Sequence, residues 1–459
     1  MEGIVMLGWR RKSVDCAGSV LFRGAMPPRL AEFAPALKAA GVTGKSVPAG
    51  DSHWRAELQH PKWGQATVIC LRNAPPPPST LIDFDQNLDQ SERELAKQAG
   101  SIVSMTVRGG RGDVLRDRKM LLRFLRVFMG DDGLAVLDHT AMRFWSRAAL
   151  DDELSHDADL DVESLYVLHG VTDDPPPPKP GGDEGGNDDD EDDGPPVRWL
   201  HSHGLSEIGF FDFDILNPHS SITWDGGRDA LRVMAFAILE EKVKPTTDRF
   251  PLAGEKAAVR LVDVATFNRR ASAGDVALRI DADESHNTGR SVLCEPAGGF
   301  FGRFFDRPRP VKWMQREVAD GQLLLYFSDA ATQLTAERAR ATWPRFRELV
   351  KEMEEFKFPV IAKLGYPTDS GSREHLWFSV HEAKDSSVDA TLESSPFDIA
   401  LMKAGDRDEH PLELLTDWAI ITPIGMATPR NTTPIRRVRE NREVFRELVQ
   451  RMRAAEGGS

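Results

Sequence analysis

Apolar residues recur along this chain with two periods, one helical and one of two. The helical period appears at Leu30, Phe33, Ala34 and Leu37, ahead of Gly41, and predicts a helix over 28–40. It returns at Leu121, Phe124, Leu125 and Phe128 for a helix over 114–129, and at Leu231, Met234, Ala235 and Ile238 for one over 230–240. Trp343, Phe346, Leu349, Val350 and Met353 mark one long helix over 335–356, and 441–452 reads as a last one. Ser91, with Glu94 three residues on, has capping-box spacing for a short helix over 91–98. The period of two is clearest where Leu376, Phe378 and Val380 alternate with Trp377, Ser379 and His381. Short apolar runs at 4–7, 66–71, 102–107, 165–171, 197–203, 259–264, 276–280, 291–294, 323–327, 388–392 and 418–421 read as further strands.

Single strands alternating with helices, then a strand-rich stretch, indicate an α+β, multi-domain chain. The pattern divides it into an N-terminal mixed α/β sheet domain (1–245), a β-rich middle segment (246–330) and a C-terminal unit (331–455). Residues 173–196 interrupt the first. They combine a proline run with ten acids and almost no apolar side chain, so they cannot offset the entropy of ordering and are expected to be a disordered acidic insertion. The strands on either side need each other, which favours an insertion within one domain over a linker between two.

The stretch 373–438 reads as a set of short strands, with Trp377 and Trp418 expected as interior packing groups. Its order of residues is Glu374-His375-Leu376-Trp377-Phe378, then the turn Gly405-Asp406, then Asp417-Trp418. That order resembles the YegJ-like bacterial domain of unknown function 2314. The resemblance implies a helix packed on a small bent sheet, and no reaction. A Gly-rich run is usual between the final strands of that family; this chain has Pro423-Ile424-Gly425-Met426 and Asn431-Thr432-Thr433-Pro434 there. The run at 199–205 is similar to a Trp-Leu-His-x-His-Gly-Leu run in larger uncharacterised bacterial proteins that carry the same module.

Charge changes the picture only locally. Of the net charge of −14, the insertion carries −9, its ten acids opposed by Lys179 alone, which leaves −5 elsewhere. A mildly acidic folded part disfavours general nucleic-acid binding. No apolar run is long enough to span a bilayer. Cys16, Cys70 and Cys294 are few, odd in number and far apart, which fits a reducing cytoplasm rather than a disulfide framework.

Candidate chemistry is sparse. His201 and His203 share one face of a strand, as do Asp212 and Asp214 on the next, and two imidazoles with a carboxylate could hold a divalent metal. The bland alternative is a polar sheet face with Phe211 and Phe213 packed behind it. Residues 281–287 only superficially resemble a calcium loop and read as a polar turn. Arg111-Gly112-Asp113 reads as a turn and helix N-cap. The C-terminal arginines (Arg436, Arg437, Arg439, Arg442, Arg446, Arg451, Arg453) alternate with glutamates as on a solvated, partly ion-paired helix face. No catalytic constellation stands out, while aromatics at 300–305, Trp54 and Trp63 could anchor an interface. The expectation is therefore a non-catalytic protein-binding or accessory, immunity-type protein whose partner is another protein. The alternative is a metal-dependent hydrolase using His201, His203 and Asp212 or Asp214.

Overall fold

A computed structural model of the chain describes residues 14–172, 197–216, 224–252, 258–271, 289–297, 307–311 and 329–456, apart from 26, 84, 86, 109–112, 246, 248, 369–370 and 372. The strands expected at 4–7, 276–280 and 323–327, the aromatic loop at 300–305, the turn at 281–287 and the insertion lie outside the described residues. The fold is α+β, with three sheets.

The first sheet holds β1 (Cys16–Arg23), β2 (Thr43–Val47), β3 (Trp54–His60), β4 (Gly64–Arg72), β5 (Ala99–Val107), β6 (Gly133–Asp138) and β7 (Arg143–Trp145), in the order β2-β3-β4-β5-β1-β6-β7. Three short helices, α1 (Ala34–Ala39), α2 (Ser79–Asp83) and α3 (Gln90–Ala96), connect its strands. A fourth, α4 (Val114–Met129), lies across β1, β5 and β6 and buries the expected stripe Leu121, Phe124, Leu125 and Phe128. Asp113 caps it. The cap of α3 is not Ser91: Asp89 accepts from the Glu92 amide at 2.7 Å, and Glu92 accepts from the Asp89 amide at 2.8 Å. The helix starts at Gln90, so Asp89 takes the cap position and the box lies two residues back. Trp54 is turned into the core, and Trp63 is half-buried. Trp54 is buried on β3 with its indole N–H on the Pro28 carbonyl at 2.9 Å, and Trp63 stacks on His60 and meets Phe124 edge-on.

The helix α5 (Arg147–Leu154) leads to the second sheet. Its strands are β8 (Val167–Thr172), β9 (Val197–His203), β10 (Asp212–Leu216), β11 (Phe250–Pro251), β12 (Ala258–Asp263) and β13 (Arg290–Cys294), ordered β11-β12-β13-β10-β9-β8. The flanks of the insertion, β8 and β9, pair antiparallel with each other. One face of this sheet (Leu200, Phe213, Ile215, Leu261, Leu293) joins α6 (Trp224–Leu239) in the core that also fills the first sheet. Part of the other face packs Leu216, Val262, Val292 and Cys294 on Phe267 of α7 (Val264–Arg270).

The third sheet has its own core. Its strands are β14 (Val360–Pro367), β15 (Arg373–Ala383), β16 (Ser387–Leu392), β17 (Arg407–Pro411), β18 (Leu415–Thr422) and β19 (Gly425–Ala427), ordered β17-β16-β15-β14-β18-β19. The single long helix expected before it is two, α8 (Asp329–Ala341) and α9 (Trp343–Glu352). Pro344 has no N–H to continue the ladder, so a new helix starts at Trp343, with Thr342 at its N-cap position. The Thr342 hydroxyl donates to the Arg338 carbonyl at 2.8 Å and accepts the Trp418 indole N–H at 3.0 Å. Trp418 is an interior packing group; Trp377 is not. It alternates with Leu376 and Phe378, which point to the helices, so its indole sits half-buried on the opposite face. Residues 433–438 are helical rather than extended: α10 (Thr433–Glu440) starts with proline in its first turn, and α11 (Arg442–Glu456) follows.

A seam of ion pairs joins this module to the N-terminal body. Arg338 reaches Glu153 at 2.9 Å, and Arg345 and Arg439 both reach Asp152, at 3.0 and 3.3 Å. Arg437 pairs with Asp89 at 3.1 Å; within the module itself, Arg442 and Arg446 pair with Glu355 at 2.6 and 2.7 Å. Of the C-terminal arginines, Arg437 and Arg439 therefore bridge to the N-terminal body, whereas Arg446 and Arg451 lie on the solvated, partly ion-paired helix face expected of them.

Candidate functional site

The second sheet brings His201 and His203 together. Their rings meet edge-on, with centroids 4.6 Å apart, as residues two apart on one strand should. Asp214 stands opposite His201 in the β9–β10 register. Its carboxylate takes the Arg290 guanidinium at 2.7 Å, both side chains being buried. Asp212 does other work. It accepts from the Ser202 and Ser206 hydroxyls at 2.9 and 2.6 Å and from the amides of Gly204, Leu205 and Ser206 at 3.2–3.3 Å. It thereby holds the turn that leaves β9. Among the described residues, no group of three or more His, Cys, Asp and Glu side chains is placed to hold a metal ion. Sequence spacing finds the histidines but not Arg290, which comes from a strand 76 residues away.

The third sheet carries a second polar group, on the face away from its helices. Lys363 lies in one row between Trp377 on β15 and Asp417 on β18. In the next row, His375 lies opposite Gly365. A Cβ at 365 would come within 3.1–3.2 Å of the imidazole, so glycine there lets the ring lie on the sheet. The Thr416 hydroxyl donates to the Lys363 carbonyl at 3.1 Å. The same oxygen is 3.1 Å from His375 Nδ1; with its proton on the Lys363 carbonyl it accepts from Nδ1–H, the tautomer in which Nε2 keeps its lone pair. Burial, with Lys363 and Arg373 nearby, holds the imidazole below its ordinary pKa and therefore neutral at pH 7.

Asp417 is occupied by Arg430 at 3.1 Å and by the Trp418 amide at 2.9 Å. Among the described residues, no carboxylate stands within ion-pair distance of the Lys363 ammonium, which lies 5.3 Å from the Trp377 ring centre. Burial holds this amine below its ordinary pKa; Asp417 opposes the shift, and Arg430 and Arg232 add to it.

A third feature is the loop between β16 and β17. Both oxygens of Glu374 accept amides at its start, from Phe397 at 2.7 Å and Asp398 at 3.0 Å. Asp406 accepts the Lys403 amide at 2.9 Å at its end, beside Gly405 with φ +90°. Ile399 and Met402 pack toward the core, and Phe397 and Leu401 are 98% and 97% exposed. On α11, Val444, Leu448 and Met452 form a further exposed apolar stripe, four residues apart.

Two helices on an antiparallel sheet, with an anchored loop and a polar face turned away from the helices, define the C-terminal module. Residues 329–427 match the family model DUF2314, an uncharacterized protein conserved in bacteria. No curated protein and no solved structure matches the chain. The residues that carried the resemblance have separate physical tasks. Leu376, Phe378 and Trp418 fill the core, Glu374 and Gly405-Asp406 hold the loop, and His375, Trp377 and Asp417 line the polar face. Lys363 had no signal in the sequence, since a lone lysine in a strand is ordinary until its row neighbours are known.

Proposed function

We propose that this is a non-catalytic, protein-binding accessory protein, whose C-terminal module recognises another protein through the loop 393–406. The observation that carries this reading is the exposure of Phe397 and Leu401 on a loop whose backbone is tied at both ends. A large apolar side chain held out in water is disfavoured by about 1.5–3 kcal/mol relative to burial. An anchored loop loses little entropy on docking, and an aromatic side chain is a common interface anchor. The reading places the protein in the cytoplasm: its three cysteines are buried, free thiols. Among the described residues, no helix is long and apolar enough to cross a membrane.

The test is quantitative native capture from the source cells by wild type and by a Phe397→Ser, Leu401→Ser double variant with unchanged melting. Selective loss of one co-purifying protein in the variant is expected. Identical recoveries from both would end this reading.

A second reading, a metal-dependent hydrolase at His201 and His203, draws on the close imidazole pair. It requires Asp214 to exchange Arg290 for the metal. Its test is the metal content of the purified protein and the change in melting on adding zinc, manganese or iron. An unloaded protein with unmoved melting removes it.

A further inference from the structure

The half-buried polar face of the third sheet, turned away from its helices, holds an amine and a base that the protein-binding reading does not use. We propose that Lys363 is the covalent attachment point for a small carbonyl compound bearing a carboxylate, held as an imine, with His375 as the proton carrier and Arg373 as the carboxylate's partner.

The geometry supports each role. Lys363 is half-buried, rests against Trp377, and has no carboxylate within ion-pair distance among the described residues. Burial and the cationic neighbours Arg430 and Arg232 favour the neutral amine, which is the nucleophile, against Asp417 and the Trp377 ring, which favour the ammonium. The chain from the Lys363 carbonyl through Thr416 to His375 Nδ1 fixes the tautomer that leaves Nε2 as an acceptor. The two rows are two residues apart along β14, about 7 Å between backbone positions, a span that the substrate oxygen and one water together can bridge. An anion cradle would need donors at both places, and a lone pair at Nε2 does not supply one. Arg373, whose guanidinium donates to the Gly365 carbonyl at 3.1 Å beneath His375, is the cation left to meet a carboxylate.

The chemistry balances without an added oxidant or reductant. The Lys363 lone pair forms the C–N bond and the carbonyl π pair moves to oxygen, giving a carbinolamine. Both amine protons pass by way of His375 Nε2 to that oxygen, which leaves as water as the C=N bond forms. The product is an imine, reversible by hydrolysis.

The experiment exposes the full chain to glyoxylate with cyanoborohydride and follows labelling of each lysine by peptide mass spectrometry; acetaldehyde serves as the uncharged control. Lys363 should be labelled severalfold faster than the exposed Lys357 and Lys403, and the advantage should be larger with glyoxylate. His375→Gln should slow Lys363 labelling about a hundredfold, the lower end of what a positioned proton carrier contributes, while Lys403 labelling stays constant. Arg373→Gln should remove only the preference for glyoxylate. Labelling of Lys363 no faster than Lys403 in the folded wild-type protein overturns the proposal. So does a His375→Gln protein that melts as wild type and labels Lys363 at an unchanged rate.

Discussion

The second and third sheets each place charges on one face, and they use them differently. On the second, the carboxylates are absorbed by structure: Asp214 by Arg290, and Asp212 by a turn's amides and hydroxyls. On the third, Asp417 is absorbed in the same way by Arg430, and Lys363 is left against a ring. The contrast separates charges that hold the fold from one kept available. Burial alone does not make that distinction; the count of partners does.

The comparison breaks most decisively at Arg290. Arg290→Ala strips a buried carboxylate of its guanidinium and should cost about 3–5 kcal/mol in denaturant unfolding. A loss near zero would mean that Asp214 holds nothing.

The seam between the N-terminal body and the C-terminal module supplies the next test. Burial would raise Glu153, but Arg338 and Lys119 hold it down to about 2 from an ordinary 4.5. Burial lowers His156 from 6.5 to about 4, against the pull of Glu153. Both are depressed in the folded state, so the unfolded chain binds more protons and stability falls with falling pH. The His156 contribution should be lost between pH 6.5 and 4, and the Glu153 contribution between 4.5 and 2. Thermal melting of wild type and His156→Gln across this range checks it: the variant should lose the upper part of the slope and keep the lower.

Asp212→Ala should cost about 2–3 kcal/mol, since it leaves the turn after β9 without its charged acceptor. Proteolysis near 204–206 should rise in step. The smallest effect is expected at Lys363. Lys363→Met keeps the stem and removes a charge that has no ion-pair partner among the described residues, so stability should stay within about 0.5 kcal/mol. A large loss there would put Lys363 with the structural charges and erase the difference between the sheets.

Much of the framework was legible in the chain. The stripe on α4 is a helical period over sixteen residues, and the alternation at 376–380 is a period of two; both are local patterns that backbone geometry converts directly into faces. The same alternation, read strictly, already assigns Trp377 to the face opposite Phe378. The histidine pair was legible for the same reason, because two residues on a strand must share a side. The misses were matters of competition between neighbours. Asp89 and Ser91 both suit a helix cap, and only the folded backbone selects one; Pro344 lies in an otherwise unbroken stripe, and the stripe hid it.

What the sequence alone determined is which side of each element meets a core, because burial follows a short-range period. What only the tertiary structure decided is which charges are spent. Arg290 reaches Asp214 from another strand, Arg338 reaches Glu153 from another module, and among the described residues no carboxylate comes within ion-pair distance of Lys363. Ion pairing acts through space over a few ångströms, and separation along the chain carries no record of it.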